Sequence, residues 1–296
     1  MSQPTERPAP PPATPPGTPS GTALVTGAGG GLGGYLARRL AEDGWAVTGV
    51  LRPAGPPADG APAEPASGDQ RAPGDAPASG AEPASAEVPP PGVTLVRADL
   101  ATDAGLAALL AACPVPPRLL VHCAVSYPTA VADLAPADLD AVFRVNAVAP
   151  YELSRRLLAR TDADTPMTVV CVNSEAMYRA DDRSGVYGAS KAALRVLTTA
   201  LAAGCRGTGN AVASLVLGPL ATPRRMAELA GLAVKHGRAV PELAALALRK
   251  TNPDLVLTHF IELESCHRSV TYVAGLGPTA NGMVCRLDGG SAGSLI

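Results

Sequence analysis

The sequence predicts an α/β fold, a single domain built on one parallel sheet with helices on both faces. Three observations predict it. Strand-like and helix-like segments alternate from Thr22 to the last strand-like run, Met283–Leu287. The strand segments are continuous apolar runs, as strands buried on both faces must be. A glycine-rich turn, Thr26-Gly27-Ala28-Gly29-Gly30-Gly31-Leu32-Gly33, joins the first strand to the first helix.

Taken in order, Thr22–Thr26 is a short apolar strand ending in that turn. Leu32–Asp43 is helical, with Leu32, Leu36 and Leu40 on one face. Ala46–Leu51 and Val93–Val96 are the second and third strands, and a helix over Asp103–Ala112 follows Asp99-Leu100. Leu119–Cys123 is the fourth strand, and a long helical stretch covers Ala137–Arg160. Met167–Val172 is the fifth strand, Tyr187–Ala203 a helix, and Val212–Leu217 the sixth strand. A helical region spans Pro223–Leu248, and Pro253 is placed to open another helix, where its missing N–H costs nothing.

Two stretches break this rhythm. Residues 1–20 are rich in Pro, Thr and Ala and read as a disordered tail. Residues 53–92 are almost entirely Pro, Ala, Gly, Ser, Asp and Glu, with Val88 the one large aliphatic. Such a segment buries too little apolar surface to offset its ordering entropy and is expected to be a disordered insertion in a domain running from 21 to 296. Its deletion is expected to leave activity largely intact.

Composition narrows the function. Of the 296 residues 47% are hydrophobic but only 3% aromatic, so the core must be built from Ala, Val and Leu. A net charge of −2 makes no electrostatic case for nucleic acid or an anionic membrane surface. No apolar run reaches the ~18 residues of a membrane span, and the N-terminus lacks the apolar core of a secretory signal. Six scattered cysteines without a CxxC pair suit free thiols in a reducing cytoplasm, and no metal site is expected.

The glycine turn brings backbone N–H groups and a positive helix end against a pyrophosphate, an approach that side chains at Gly27, Gly31 and Gly33 would block. The second strand ends Val50-Leu51-Arg52. Leu51 cannot hold a ribose 2′-hydroxyl as an acidic residue would, whereas Arg52 can pair with a 2′-phosphate. NADP(H) is therefore the preferred cofactor, with NAD(H) as the alternative. Asp99, closing the third strand, can accept from the adenine amino group or serve as a turn residue.

A second constellation carries the chemistry. Tyr187 and Lys191 share one helix face at i and i+4, and Ser174 stands 13 residues before the tyrosine. A nearby ammonium is expected to pull the phenol pKa down from about 10 toward the working range. Ser174 can donate to a substrate oxygen. Asn146, interrupting a helix, is placed to hold a water near Lys191.

With these motifs in view, the chain resembles the short-chain dehydrogenase/reductase family. Setting aside 1–20 and 53–92 leaves 236 residues, an ordinary length for a single-domain member with a Rossmann-type doubly wound sheet. The resemblance implies Tyr187 as general acid/base, Ser174 orienting the carbonyl, Lys191 binding the nicotinamide ribose, and Asn146 maintaining a proton relay. It places Gly27, Gly31, Leu32, Gly33, Arg52, Asp99, Leu100, Ala124, Gly218, Pro219 and Thr222 on the cofactor, together with Tyr187 and Lys191. It also implies a homo-oligomer, a dimer or tetramer. Three residues depart from the family pattern. Val125 stands for the glycine of Asn-Ala-Gly (here Cys123-Ala124-Val125), Leu217 for a proline, and Asn173 for a frequent serine. His122 is expected to be a packing or polar loop residue.

Ser126, Tyr127, Glu175 and Tyr178 follow strand ends near the cofactor and are candidate substrate contacts. Residues 223–250 would form a substrate lid, read either as an apolar pocket with a basic rim suited to a hydrophobic, carrier-bound ketone, or as an ordinary amphipathic helix pair. The leading expectation is an NADP(H)-dependent carbonyl reductase acting on a small molecule, such as a biosynthetic ketoreductase. The alternatives are an NAD-dependent alcohol dehydrogenase and a dinucleotide-sensing module without turnover.

Overall fold

The seven strands lie in the order β3-β2-β1-β4-β5-β6-β7, all neighbours parallel. The computed structural model describes residues 21–53, 89–127, 135–178 and 184–291. The expectations for residues 1–20 and for most of 53–92 lie outside the described residues. The strands are β1 Thr22–Thr26, β2 Ala46–Leu51, β3 Val93–Arg97, β4 Leu119–His122, β5 Thr168–Ser174, β6 Ala211–Leu217 and β7 Val284–Leu287. The helices are α1 Gly31–Glu42, α2 Asp103–Ala112, α3 Pro136–Phe143, α4 Ala149–Leu158, α5 Gly185–Gly204, α6 Pro223–His236, α7 Val240–Thr251 and α8 Leu263–Gly275. Chain order reverses between β1 and β4. That switch point opens a crevice at the carboxyl ends of the strands, where ligands bind in sheets of this type.

Two apolar clusters hold the sheet between its helix layers. On one face Leu24, Leu120, Val169 and Val212 pack with Leu109, Leu153, Leu157, Leu194 and Leu201. On the other, Val25, Val121, Val170 and Leu215 pack with Leu36, Leu40, Cys266 and Val270. Every residue of β4 and β6 is buried, which is why their sequences run apolar without alternation. The six cysteines are unbridged. Among the described residues no helix is long and apolar enough to cross a membrane.

Three expectations need correction. The stretch 137–160 is not one regular helix: Arg144–Val148 form a π-helical turn between α3 and α4. Pro253 opens no helix. The Asn252 side-chain oxygen accepts the N–H of Asp254 at 3.1 Å, turning the chain, and the next helix begins at Leu263. The third concerns deletion of 53–92. Val47 pairs with Val93 and Leu51 with Arg97, so β2 and β3 run parallel. The chain leaving Leu51 must travel back the length of a strand to enter β3, and parallel neighbours need a crossover of about a dozen residues. Joining Arg52 directly to Val93 is geometrically impossible.

Candidate active site

The nucleotide cradle is built where β1 meets α1. The Thr26 hydroxyl accepts from the N–H groups of Cys123 and Ala124, both at 3.2 Å, and so ties the end of β1 to the end of β4. Gly27 has φ +73°, and a Cβ there would lie 2.7 Å from the Ala124 backbone. A Cβ on Gly33 would stand 2.2 Å from the Gly27 carbonyl oxygen, so the first turn of α1 can sit against the loop only as glycine. Gly31, at φ +52°, has nothing within 4 Å of its Cβ position and faces open space. The first N–H groups of a helix lack intrahelical partners. At Gly31, Leu32 and Gly33 they start α1 beside a surface kept bare of bulk, and an anionic pyrophosphate fits there by charge and by shape.

The remaining cofactor candidates line the same crevice or its margins. Arg52 is exposed at the tip of β2. The Asp99 carboxylate accepts from Ala101 N at 3.0 Å, and the Asp99 carbonyl accepts from Thr102, whose hydroxyl caps α2. Asp99 is thus a turn-forming residue, and its side chain is already partly engaged. Leu100 is a core residue at 7% exposure. Ala124 is part-exposed beside Gly27. On the far side, Gly218 passes so close to Asp288 that a Cβ would meet its carbonyl oxygen at 2.8 Å. The Pro219 carbonyl accepts from Ile261 N, and the Thr222 hydroxyl caps α6 by accepting from Arg225 N.

The structure brings Ser174, Tyr187 and Lys191 together. Ser174 ends β5; its hydroxyl oxygen accepts from Ala176 N at 3.2 Å and is hydrogen-bonded to the Tyr187 phenol. Lys191 is buried, with Nζ 5.9 Å from the centre of the Tyr187 ring, and it donates to the Val172 carbonyl at 3.0 Å. Asn173 braces the pair: its side chain donates to the Lys191 carbonyl and accepts from Ser174 N. An asparagine before the serine therefore locks β5 to α5.

One expectation about this set is overturned. Burial pushes the Tyr187 phenol well above its ordinary pKa, and the neighbouring Tyr127 and Glu175 add to that, while only the Ser174 hydrogen bond opposes it. Desolvation brings the pKa of Lys191 itself down to about 8. Asn146 is buried. It sits in the π turn, where its Oδ1 accepts from Ser126 N at 2.7 Å and its Nδ2 donates to Ser126 O and Ser190 Oγ. Ser190 in turn donates to the Tyr187 carbonyl. Asn146 fastens the loop after β4 to the tyrosine helix.

The short chain dehydrogenase family model matches residues 86–232. A solved short chain dehydrogenase/reductase family protein is 27% identical, with 91% of this chain and 96% of that one covered at a TM-score of 0.65. The chain belongs to the short-chain dehydrogenase/reductase family. A putative betaketoacyl-ACP reductase is 28% identical over 91% of this chain and 96% of its own, with a TM-score of 0.64. L-sorbose reductase from Gluconobacter frateurii, solved with NADPH and L-sorbose, shares the fold at 17% identity, with 94% and 99% covered and a TM-score of 0.68. No curated protein matches.

As a member of this family the chain is an oxidoreductase, and its substrate end can be read residue by residue. The Tyr127 hydroxyl lies 3.4 Å from that of Tyr187, with ring centres 4.5 Å apart. Ser126 shows its backbone to Asn146. Glu175 is buried and accepts from Asn252, which also donates to Ser291. Tyr178 lies under the Arg286 guanidinium at 5.8 Å, and Arg286 is held by Asp288. The basic rim of the lid is largely neutralised. Arg224 and Arg225 pair with Glu228, and Arg238 pairs with Glu242. The amphipathic-helix reading of 223–250 fits better, as Leu229, Ala244, Leu248 and Phe260 form a small core of their own there. His122 is a packing residue. It is buried with Nε2 2.8 Å from Ser154 Oγ, and desolvation brings its pKa down to about 3. Sequence reasoning missed Thr26, Ser190, Asn252 and Arg97. Thr26 alone left a local signal, a polar residue ending an apolar strand at the turn.

Proposed function

We propose that the protein reduces a ketone to a secondary alcohol with NADP(H), Tyr187 acting as general acid. One observation carries this reading. The Tyr187 hydroxyl stands at the switch-point side of the sheet, hydrogen-bonded to Ser174, and its surroundings keep it protonated. A phenol held in its neutral form is prepared to give a proton, which favours reduction over oxidation.

A dinucleotide held at Gly27, Gly31 and Gly33 would supply the hydride. Ser174 donates to the carbonyl oxygen and fixes its direction. Tyr187 gives its proton to that oxygen and is left as phenolate. Lys191, with a pKa of about 8, lies close to the working range and can restore the proton through the crevice. Gly27, Gly31 and Gly33 would admit the pyrophosphate, and Arg52 would pair with the 2′-phosphate. Asp99, Ala124, Gly218, Pro219 and Thr222 are proposed to bound the remaining cofactor surface. Ser126, Tyr127, Glu175 and Tyr178 are proposed to contact the substrate. The 28% identical putative betaketoacyl-ACP reductase supports a ketoreductase role. A homo-oligomer in the cytoplasm completes the reading, and six unbridged thiols suit a reducing compartment.

The test is consumption of NADPH against a panel of ketones, with Tyr187→Phe as control. The variant should bind NADPH like the parent, measured by cofactor fluorescence, and lose about 10²–10⁴-fold in turnover. Full turnover by the variant would remove the assigned role.

A further inference from the structure

The proton-transfer centre contains a phenol that the three-residue motif does not include. Tyr127 follows β4 on a loop held by Asn146 through both backbone polar groups of Ser126. Its ring packs on that of Tyr187 with centres 4.5 Å apart, and the two hydroxyls are 3.4 Å apart. Among the described residues the Tyr187 hydroxyl is the one polar partner of the Tyr127 phenol. A hydroxyl has one hydrogen to give and two lone pairs to fill, so a single contact leaves it incomplete.

At this separation either hydroxyl can donate. The contact raises the pKa of Tyr187 and lowers that of Tyr127, as a bond donated by Tyr187 does. The Ser174 bond lowers the pKa of Tyr187, as a bond donated by Ser174 does. With Ala176 N donating to Ser174, the hydrogens run from Ser174 to Tyr187 and from Tyr187 to Tyr127. That order ends on the Tyr127 hydrogen, which then has no acceptor among the described residues. Burial outweighs the Tyr187 contact and raises the Tyr127 pKa, so this hydrogen stays in place. A ketone that draws the Ser174 and Tyr187 hydrogens to its own oxygen also removes the bond that Tyr127 was accepting. Once the substrate covers it, a hydroxyl left without partners is costly.

We propose that Tyr127 sets specificity by donating its hydrogen to a second oxygen of the substrate, which is therefore a ketone carrying an acceptor oxygen one or two carbons from its carbonyl carbon. The proposal deepens the ketoreductase reading and rests on Tyr187 as general acid. Two oxygens that close on one carbon chain can each lie about 2.7–2.8 Å from hydroxyls 3.4 Å apart. Ser174 and Tyr187 hold the carbonyl oxygen and Tyr127 holds its neighbour. The stacked rings keep the two phenol donors side by side. A ketone without the second oxygen sets an apolar carbon chain against the Tyr127 hydrogen and leaves it unpaired.

The experiment compares ethyl 3-oxobutanoate with heptan-2-one. Both place a methyl ketone on a chain of the same length, and only the first carries further acceptor oxygens. Saturation-transfer NMR titration gives the dissociation constant of each ketone from the protein saturated with NADP⁺, where no hydride can pass. Tyr127→Phe keeps the stacked ring and removes only the hydroxyl; circular dichroism checks its fold, and Tyr127→Leu gives a second reading. From parent to variant the ratio of the two constants should move about tenfold against the ketoester, the worth of about one hydrogen bond. Any change in Tyr187 acidity acts on both ketones alike and cancels in that ratio. An unchanged ratio, or no binding of the ketoester to the parent, would overturn the proposal. The two readings fail separately. A ratio that moves while NADPH is never consumed counts against Tyr187 as general acid, and NADPH consumption with an unmoved ratio counts against Tyr127 alone.

Discussion

Arg97 donates from Nη1 to the carbonyl oxygen of Arg52 at 3.3 Å. Leu51 pairs with Arg97 across β2 and β3, so two guanidinium groups come from the tips of adjacent strands. Both residues are exposed, so each cation is screened by water and neither is committed to a buried partner. A dianionic 2′-phosphate would find one arginine facing it and a second bracing the first.

Arg52→Ala should therefore weaken NADPH about tenfold more than NADH, the equivalent of one charge-assisted hydrogen bond. Arg97→Ala should produce a smaller effect of the same sign. Titrating cofactor fluorescence with both nucleotides measures it. Equal weakening of the two would remove the 2′-phosphate from the account.

The same pair of strands sets what the segment between them must do. Leaving Leu51 and entering at Val93 means travelling back along a strand, about 3.3 Å for each residue of β3. Removing 53–92 altogether should give an unfolded or aggregated protein. Replacing 54–88 with about a dozen Gly/Ser residues should keep the fold and the turnover, because loop-closure entropy changes slowly with length. Circular dichroism and the NADPH assay on both variants check this. A folded, active 53–92 deletion would contradict the parallel pairing of β2 and β3.

What was legible in the sequence was whatever depends on neighbours along the chain. The strands showed because both faces of the sheet are covered and each run had to be apolar throughout, as in β4 and β6. Gly27, Gly31 and Gly33 showed because their spacing follows one turn and the start of one helix. Tyr187 and Lys191 showed through helical periodicity. What stayed hidden depends on tertiary approach. Asn146 is bound to Ser126 and Ser190, 20 and 44 residues away, and no local pattern reports that. The direction of the Tyr187 shift is set by burial and by Tyr127, whose distance to it is fixed only by folding. At Pro253 a helix-start signal was correct as a local preference but lost to the Asn252 side chain, which closed a turn instead.

His122 links this fold to pH. Its folded pKa of about 3 lies below the ordinary 6.5, because burial next to Lys191 disfavours the imidazolium. Between those values the unfolded chain holds a proton that the folded chain does not. Stability is therefore complete above about pH 6.5 and is lost progressively as the pH falls toward 3. From about pH 7.5 to pH 5 this one group should remove roughly 2 kcal/mol from the unfolding free energy. His122→Gln keeps a polar group near the Ser154 hydroxyl and cannot take the proton. The variant is expected to lose about 2 kcal/mol less than the parent over that interval in urea unfolding followed by circular dichroism. Identical slopes in the two proteins would mean that the imidazole accepts its proton inside the folded core.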